Sequence, residues 1–337
     1  MNYLSVGDMA QSYQMRRHNA QLKQTMNALS EELTTGVQSN LGKAVKGDFR
    51  ALSSIDASLD RIASYTKNAD LATIYTSSMQ SSLEQVQNLA ATSGASLLSA
   101  SSDIKSSSFD VALQEASRNF DSAISTLNTK ISGRYVFSGT STSTQPLASS
   151  DTILSSLETA INGLTTSGDI STAIDAWFDA PQGSGGFMDI AFSGSTETVA
   201  GLSISDSQSV DFPATAASQE IRDTLKGLAT AALVARGSVP DDDDLRVNLV
   251  RGASEQLVAS DSALSELRGV VGTVEEQIAT AQTSNESEKS SLSIAKNKLI
   301  GIDEYDTATA LEAVQTQLET LYTLTSRLTQ LSLTDYL

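Results

Sequence analysis

The chain has 337 residues, a formal net charge of −18 and no cysteine. It is long enough for two or three domains, and no stretch reaches the roughly 18 apolar residues of a membrane span. The acidic balance argues against nucleic-acid binding, which needs clustered Lys and Arg, and weakly against anionic membrane surfaces, while the lack of cysteine excludes disulfides and thiolate metal sites.

The first predicted helix runs from about Asp8 to about Leu33. The segment MNYLSVGDMA has neither a basic region nor an apolar core, so we expect no cleavable signal peptide. The helix carries one heptad row of apolar side chains within about 60° of its surface, which suits a single close neighbour. The row consists of Met15, Leu22, Met26, Leu29 and Leu33.

Two more helices are predicted before the character of the chain changes. A loop at 34–50 contains three glycines and leads into a long helix from Ala51 to about Leu89, which would extend about 60 Å. A third helical pattern runs from Phe109 to Ile131, and Gly133 ends it. Apolar residues recur every three or four positions in both.

Residues 135–216 are predicted to form an acidic, β-rich module. GRYVFSGT, MDIAFSG, TVAGLSI and SVDFPA are typical of short strands, set among helical patches at Ile153–Leu164 and Ile170–Phe178. Between Tyr135 and Ile221 there are ten acidic residues and no Lys, Arg or His. Because such a body repels copies of itself, we expect it to face solvent.

A very long coiled-coil-like pattern follows, from Asp244 to Leu299, which would extend about 80 Å. Its apolar seam is interrupted at Ser260, Ala281, Asn285 and Glu288. Gly301 then separates this helix from the last one.

The last helix, Asp306 to Leu331, carries a stripe that fans across roughly 160° of its surface. One partner helix cannot cover so wide a stripe, and few charged residues lie on the opposite side of the helix. The pattern indicates a helix that is enclosed in an assembly, with burial in an intramolecular bundle as the alternative. The stripe consists of Leu311, Val314, Leu318, Leu321, Leu324, Leu328 and Leu331.

Together these elements predict a mainly α fold. The N- and C-terminal segments would form a long antiparallel helical-bundle rod, with a small β-rich (α+β) module inserted at its tip. The predicted domains are residues 1–40 plus 302–337, disordered in the monomer and folding on assembly; 41–134 plus 217–301, the rod; and 135–216, the outer module.

No catalytic, cofactor-binding or metal site is predicted. Asp241–Asp244 lacks the spacing of a calcium loop and suits an acidic helix start. His18 has no second His or Cys to complete a site. Trp177 and Phe178 are interpreted as core aromatics between solvated acids, and GSGG at 183–186 as a loop. An enzyme is therefore the least favoured class.

The pattern resembles the bacterial flagellin superfamily. MNALSEELTTGVQSN at 26–40, the long-helix segment at 54–90, LRGVVGTVEEQI at 267–278 and IDEYDTATA at 302–310 are similar to that superfamily in order and position. GRYVFSGTSTSTQP at 133–146 and the ending LSLTDYL resemble the branch that joins the flagellar hook to the filament. The loop at 34–50, with GVQSNLGKAVKGD, departs from the usual flagellin pattern.

The resemblance implies a secreted structural protein of the flagellum without cofactors. It implies type III export, a cytoplasmic export chaperone at the C-terminal region, and assembly as a ring of copies between hook-associated protein 1 and flagellin. Two other functions stay open: a filament flagellin with a small outer domain, and a secreted helical effector or adhesin.

Overall fold

The computed structural model describes the backbone of residues 6–199 and 201–334, and the side chains of residues 9–199 and 201–327. Helices dominate this described part, and the strands are few and short, so the mainly α class is confirmed. Internal packing divides the chain into two compact units, Met1–Ala63 with Glu286–Leu337, and Ser64–Asn285. The three-part division expected from the sequence stays a prediction.

The helices are α1 Val6–Thr35, α2 Leu41–Ala44, α3 Arg50–Ala100, α4 Ser107–Leu127, α5 Ser150–Ile161, α6 Ser167–Asp179, α7 Gln219–Ala235, α8 Asp243–Ile300 and α9 Glu304–Thr334. Two antiparallel hairpins pair β1 Lys130–Ile131 with β2 Arg134–Tyr135, and β3 Leu202–Ser203 with β4 Ser209–Val210. In the first hairpin Ser132 and Gly133 both have positive φ, 49° and 82°, which is the geometry of a two-residue hairpin turn.

In the first unit, α1 packs against α9, and the start of α3 lies beside the end of α8. Leu52, Ile62 and Ile300 are buried there. Lys296 Nζ lies 2.8 Å from Asp56 Oδ1 and joins the two long helices at their exposed side. The helices α3 and α8 also supply residues to the second unit.

In the second unit, α4 packs against α7, and the later part of α3 lies against the earlier part of α8. Ser254 Oγ donates a hydrogen bond of 2.8 Å to the carbonyl of Gly94. A β-carbon added at Gly94 would lie 3.3 Å from Leu257 Cβ, so the two helices approach closely at this point. The largest fully buried side chains of the unit include Phe109, Phe120, Phe137, Phe178 and Phe187.

The interrupted seam of α8 has a structural reason. Asn285 is 4% exposed, and its Nδ2 donates to the carbonyl of Ile204 at 2.8 Å, next to the β3–β4 hairpin. Asn68 Nδ2 of α3 donates to the carbonyl of Ser203 at 2.8 Å. Ser260 is also buried, and its hydroxyl bonds to the carbonyl of Leu257 within its own helix. The polar residues at Asn285 and Asn68 therefore hold the hairpin, whereas Glu288 is exposed.

Residues 135–216 contain the two predicted helices, as α5 and α6, but little strand. Phe187–Ala191 forms a π-helical turn where MDIAFSG predicted a strand, so that prediction is wrong. The amides of Gly183 and Gly185 donate to the Asp189 carboxylate at 2.7–3.0 Å, which fixes the turn. The Phe187 ring packs against Trp177 and Phe178 at centroid distances of 6.1 and 5.5 Å.

The acids of this segment have partners that follow it in the chain. Lys226 Nζ of α7 lies 3.0 Å from Asp175 Oδ1, and Arg222 Nη1 lies 3.7 Å from Asp179 Oδ1. Arg236 at the end of α7 pairs with Asp151 and Glu158 of α5. The excess of negative charge seen between residues 135 and 221 is therefore partly neutralised by α7, which the sequence pattern alone did not reveal.

Candidate assembly interface

The candidate interface is built on α1 and α9, which run antiparallel from a short backbone junction. Gln38 N donates to the Ile300 carbonyl at 2.9 Å, and Ile302 N donates to the Gly36 carbonyl at 3.1 Å. A β-carbon on Gly301 would collide with the Asn297 carbonyl, so only glycine fits where the chain passes from α8 toward α9. The junction fixes which faces of the two helices meet.

The predicted rows of α1 and α9 face each other in part. Leu22 is 7% exposed and Leu318 is 6% exposed, whereas Leu324 is 50% exposed. Met15 Sδ of α1 lies 3.8 Å from Thr325 Oγ1 of α9. The other described members of the two rows are half-buried: Met26, Leu29, Leu33, Leu311, Val314 and Leu321. Leu328 and Leu331 belong to α9, but their side chains lie outside the described residues.

Large apolar side chains stay open on this helix pair. Met9 and Tyr13 of α1 are 59% and 65% exposed, and Tyr305 and Tyr322 of α9 are 80% and 50% exposed. None of these four belongs to the rows found by heptad counting, because they lie outside the seam. The sequence could have revealed these four residues, because they are large apolar side chains at helix positions outside the seam. A helix surface that faces water usually carries charged residues at such positions.

The threonines of α9 satisfy their own hydroxyl groups. Thr316, Thr320, Thr323 and Thr325 each donate to the carbonyl four residues earlier, at 2.7–2.9 Å. All four side chains are exposed. Since a buried hydroxyl without a partner is costly, a helix that already bonds these donors can be covered by a neighbour at low cost. The polar side of α9 is therefore compatible with burial.

One polar cluster, formed by Asn19 and Lys23 of α1 and Tyr322 of α9, connects the two helices. Lys23 Nζ of α1 lies 5.9 Å from the centroid of the Tyr322 ring of α9. Hydrogen bonds from Lys23 and Asn19 hold the pKa of the Tyr322 phenol below its usual value. The cluster lies at the exposed edge of the α1–α9 pair.

Asp242, Trp177 and Phe178 have structural roles. Asp242 Oδ1 accepts a bond of 2.8 Å from Leu245 N, which makes the acidic run the start of α8 as expected. Trp177 and Phe178 are buried, and Trp177 Nε1 donates to Ser156 Oγ. His18 is exposed. In the described ranges, no group of three or more His, Asp or Glu is placed to hold a metal ion.

Within the same described ranges, no helix is both long and apolar enough to cross a membrane.

Comparison with known proteins places the ends of the chain in one family. Residues 6–142 match the bacterial flagellin N-terminal helical region, and residues 258–337 match the bacterial flagellin C-terminal helical region. These two regions together make up well over half of the sequence. No curated protein matches the sequence significantly.

Solved structures that are similar to the chain include two flagellar proteins. The crystal structure of Bacillus cereus FlgL is 13% identical with a TM-score of 0.50, over 71% of this chain and 96% of that one. A putative flagellar hook-associated protein from Vibrio parahaemolyticus is 15% identical with a TM-score of 0.48, over 73% and 94%. At these identities, the likeness to the Bacillus protein shows a shared fold.

Proposed function

This chain belongs to the bacterial flagellin family and is a structural component of the flagellum, and from that premise we propose that it is the hook-filament junction protein, hook-associated protein 3. The observation that carries the proposal is the α1–α9 pair. Its apolar side chains are only partly covered within the chain, so they suit contacts with further copies.

The finer role draws on three kinds of support. The segment GRYVFSGTSTSTQP at 133–146 resembles the junction branch. Proteins named FlgL and hook-associated protein are among the structural relatives. The described part between the flagellin-like ends is also modest in size, since the matched regions leave only residues 143–257 between them.

The proposed partners follow from this role. Copies of the chain form a ring at the distal end of the hook, hook-associated protein 1 lies on the cell side, and flagellin lies on the filament side. The chain is exported through the flagellar type III apparatus, and a cytoplasmic chaperone binds its C-terminal region before export. The assembly residues are the twelve apolar positions of α1 and α9 predicted from the sequence.

The second candidate is a filament flagellin with a small outer domain. It is favoured by the match of both ends to flagellin regions rather than to a junction-specific region. The two candidates differ in copy number, because a filament holds thousands of subunits and a junction holds one ring. Quantitative mass spectrometry of purified flagella separates them.

Gene deletion tests the proposal. Loss of a junction protein leaves flagellin secretion intact, but the secreted flagellin stays in the medium and does not remain on the hook. Loss of a filament flagellin leaves hooks without secreted flagellin of that type. If the deletion strain keeps full filaments and swims, the chain has neither role, and a secreted effector or adhesin takes their place.

A further inference from the structure

A cavity of about 190 Å³ lies inside the second unit. Leu71, Tyr75 and Met79 of α3 form one wall, and Leu202 and Phe212, in and beside the β3–β4 hairpin, form another. Arg134 of β2 also lines it. The cavity is therefore mainly apolar, with one cationic group.

The size and lining suit a single aromatic ring. An engineered apolar cavity of about 150 Å³ in another protein accommodates benzene, so a volume of this order holds one ring with a small substituent. The rings of Tyr75 and Phe212 lie with centroids 5.4 Å apart and planes inclined by 37°. Such a pair offers both ring faces and ring edges to a third ring.

Arg134 supplies the polar end of the site. Its Nε donates to Thr142 Oγ1 at 3.2 Å, which orients the guanidinium, and the group lies 6.0 Å from the centroid of the Tyr75 ring. Within the described residues, its Nη1 and Nη2 have neither a hydrogen-bond acceptor nor an ion-pair partner. Two free guanidinium nitrogens are the geometry that binds a carboxylate through paired hydrogen bonds.

The composition of the segment that follows Arg134 favours a small anion over a large one. Residues 135–220 contain ten acids and no Lys, Arg or His, so a protein segment rich in carboxylates would be repelled along its length. The nearest cations in the chain after this segment, Arg222 and Lys226, are already paired with Asp179 and Asp175. A monoanion with an apolar body meets Arg134 with the least repulsion.

We propose that this cavity binds a small aromatic monocarboxylate, with its ring among Tyr75, Met79 and Phe212 and its carboxylate on Arg134. Binding of this ligand is independent of the role in the flagellum. It gives the second unit a ligand site on the wall formed by α3 and the β3–β4 hairpin.

The test uses the full chain and two probes of similar size, 4-fluorobenzoate and neutral 4-fluorobenzyl alcohol, observed by ¹⁹F NMR. We expect saturable binding of 4-fluorobenzoate with a dissociation constant on the order of 1 mM or below. Arg134→Gln weakens this binding by at least about fivefold and leaves the alcohol unaffected. Arg118→Gln, which removes an exposed arginine of α4 away from the cavity, changes binding by less than about twofold.

A third variant, Val199→Phe, fills the cavity and removes binding of both probes if its thermal unfolding shows that it is folded. The proposal is overturned by an absence of saturable binding to the natural chain up to about 20 mM. It is also overturned if Arg134→Gln and Arg118→Gln bind 4-fluorobenzoate equally. The exposed position of Arg134 keeps the latter comparison valid whether or not Val199→Phe folds.

Discussion

Tyr75 has a buried polar atom that the described part of the fold leaves unsatisfied. Its side chain is 6% exposed, and its hydroxyl is buried without a hydrogen-bond partner in the described part of the chain. A buried hydroxyl that loses its water and gains no acceptor costs free energy. The hydroxyl of Tyr65, which precedes Tyr75 on α3, does have a partner, because it donates to Asp206 Oδ1 at 3.0 Å.

The substitution Tyr75→Phe should therefore stabilise the protein. It removes the unpaired hydroxyl and keeps the ring, so we expect the free energy of unfolding to rise by about 1 kcal/mol. Tyr65→Phe is the matched control and should lower it by about 0.5–1 kcal/mol. Urea denaturation followed by circular dichroism measures both changes. A clear loss of stability in Tyr75→Phe would contradict the assignment of an unsatisfied hydroxyl.

The same residue predicts a dependence on alkaline pH. Burial raises the pKa of the Tyr75 phenol, and Arg134 opposes this shift to a smaller extent. Above about pH 10 the unfolded chain releases this proton while the folded chain retains it, so stability falls as the pH rises. We expect the advantage of Tyr75→Phe to be larger at about pH 11 than at about pH 8. An advantage that is equal at both values would show that the phenol is not protected.

At the scale of elements, a polar ladder sets the register of α3 against α8. Arg268 Nη1 donates to Gln87 Oε1 at 2.8 Å, its Nη2 donates to Glu84 Oε2 at 3.2 Å, and its Nε donates to Gln80 Oε1 at 3.3 Å. Gln80 Nε2 returns a bond of 2.8 Å to the backbone carbonyl of Arg268. One side chain thus contacts two turns of the facing helix.

Arg268→Ala should cost about 1 kcal/mol of unfolding free energy, a value that allows for the solvent exposure of the side chain. Arg251→Ala is the matched control, because Arg251 lies on the same helix with an exposed side chain. We expect this control to stay within about 0.5 kcal/mol of the natural chain. Urea denaturation measures both free energies of unfolding. Equal losses in the two variants would show that the polar ladder does not stabilise the packing of α3 against α8.

The terminal helices should be the least protected elements of the free chain. Leu318 is the one described residue of the α9 stripe that is buried, whereas α7 is buried at Leu225, Leu228 and Leu233. Because local stability follows burial, backbone amides of residues 318–324 should exchange at least about a hundredfold faster than those of residues 225–233. Hydrogen exchange on the monomer measures this ratio. Equal protection would contradict the prediction that the ends fold on assembly.

The sequence predicted the long helices well and the short elements poorly, for physical reasons. The α8 pattern from Asp244 to Leu299 matches an observed helix of Asp243–Ile300, because a long apolar repeat has few alternatives. The second helix was predicted to end near Leu89 but continues to Ala100. In its last part Leu97 is the one large buried side chain, and the other buried positions are small, Ala90, Ser93, Gly94 and Ala100, so the apolar stripe is weak.

At the scale of the whole molecule, Leu324 offers a direct test of the interface. Half of its side chain is exposed in the single chain, and in an assembly it would meet a neighbouring copy. Leu324→Glu places a charge there and should reduce incorporation into flagella at least about tenfold. Val258→Glu is the matched control, with an apolar side chain that is 57% exposed on α8.

Both variants are to be expressed in the deletion strain, and the flagella are then purified and quantified by immunoblotting. Circular dichroism of each purified monomer checks that the helices are retained. If Leu324→Glu is incorporated as well as Val258→Glu, the exposed side chain of Leu324 does not contribute to assembly.

The packing of α1 against α9 could be predicted from the sequence only in outline. Leu22 and Leu318 were placed on the apolar rows by helical periodicity alone, and both side chains are buried. The exposed Tyr13 and Tyr322 were missed, since the extent of coverage depends on the crossing of α1 and α9. Neutralisation of Asp175 by Lys226 was missed for the same reason, as it depends on which helix packs beside α6.

The threonines of α9 make this helix compatible with packing against chemically different proteins. Thr316, Thr320 and Thr323 donate their hydroxyl protons within their own helix, and their side chains are exposed. Contact with the threonine methyl groups has no preferred direction. A chemically different protein can therefore pack on this side of α9 in place of another copy of the chain without leaving a hydrogen-bond donor unpaired. In the proposed position between hook and filament, such a surface would not discriminate between the two neighbours by hydrogen bonding.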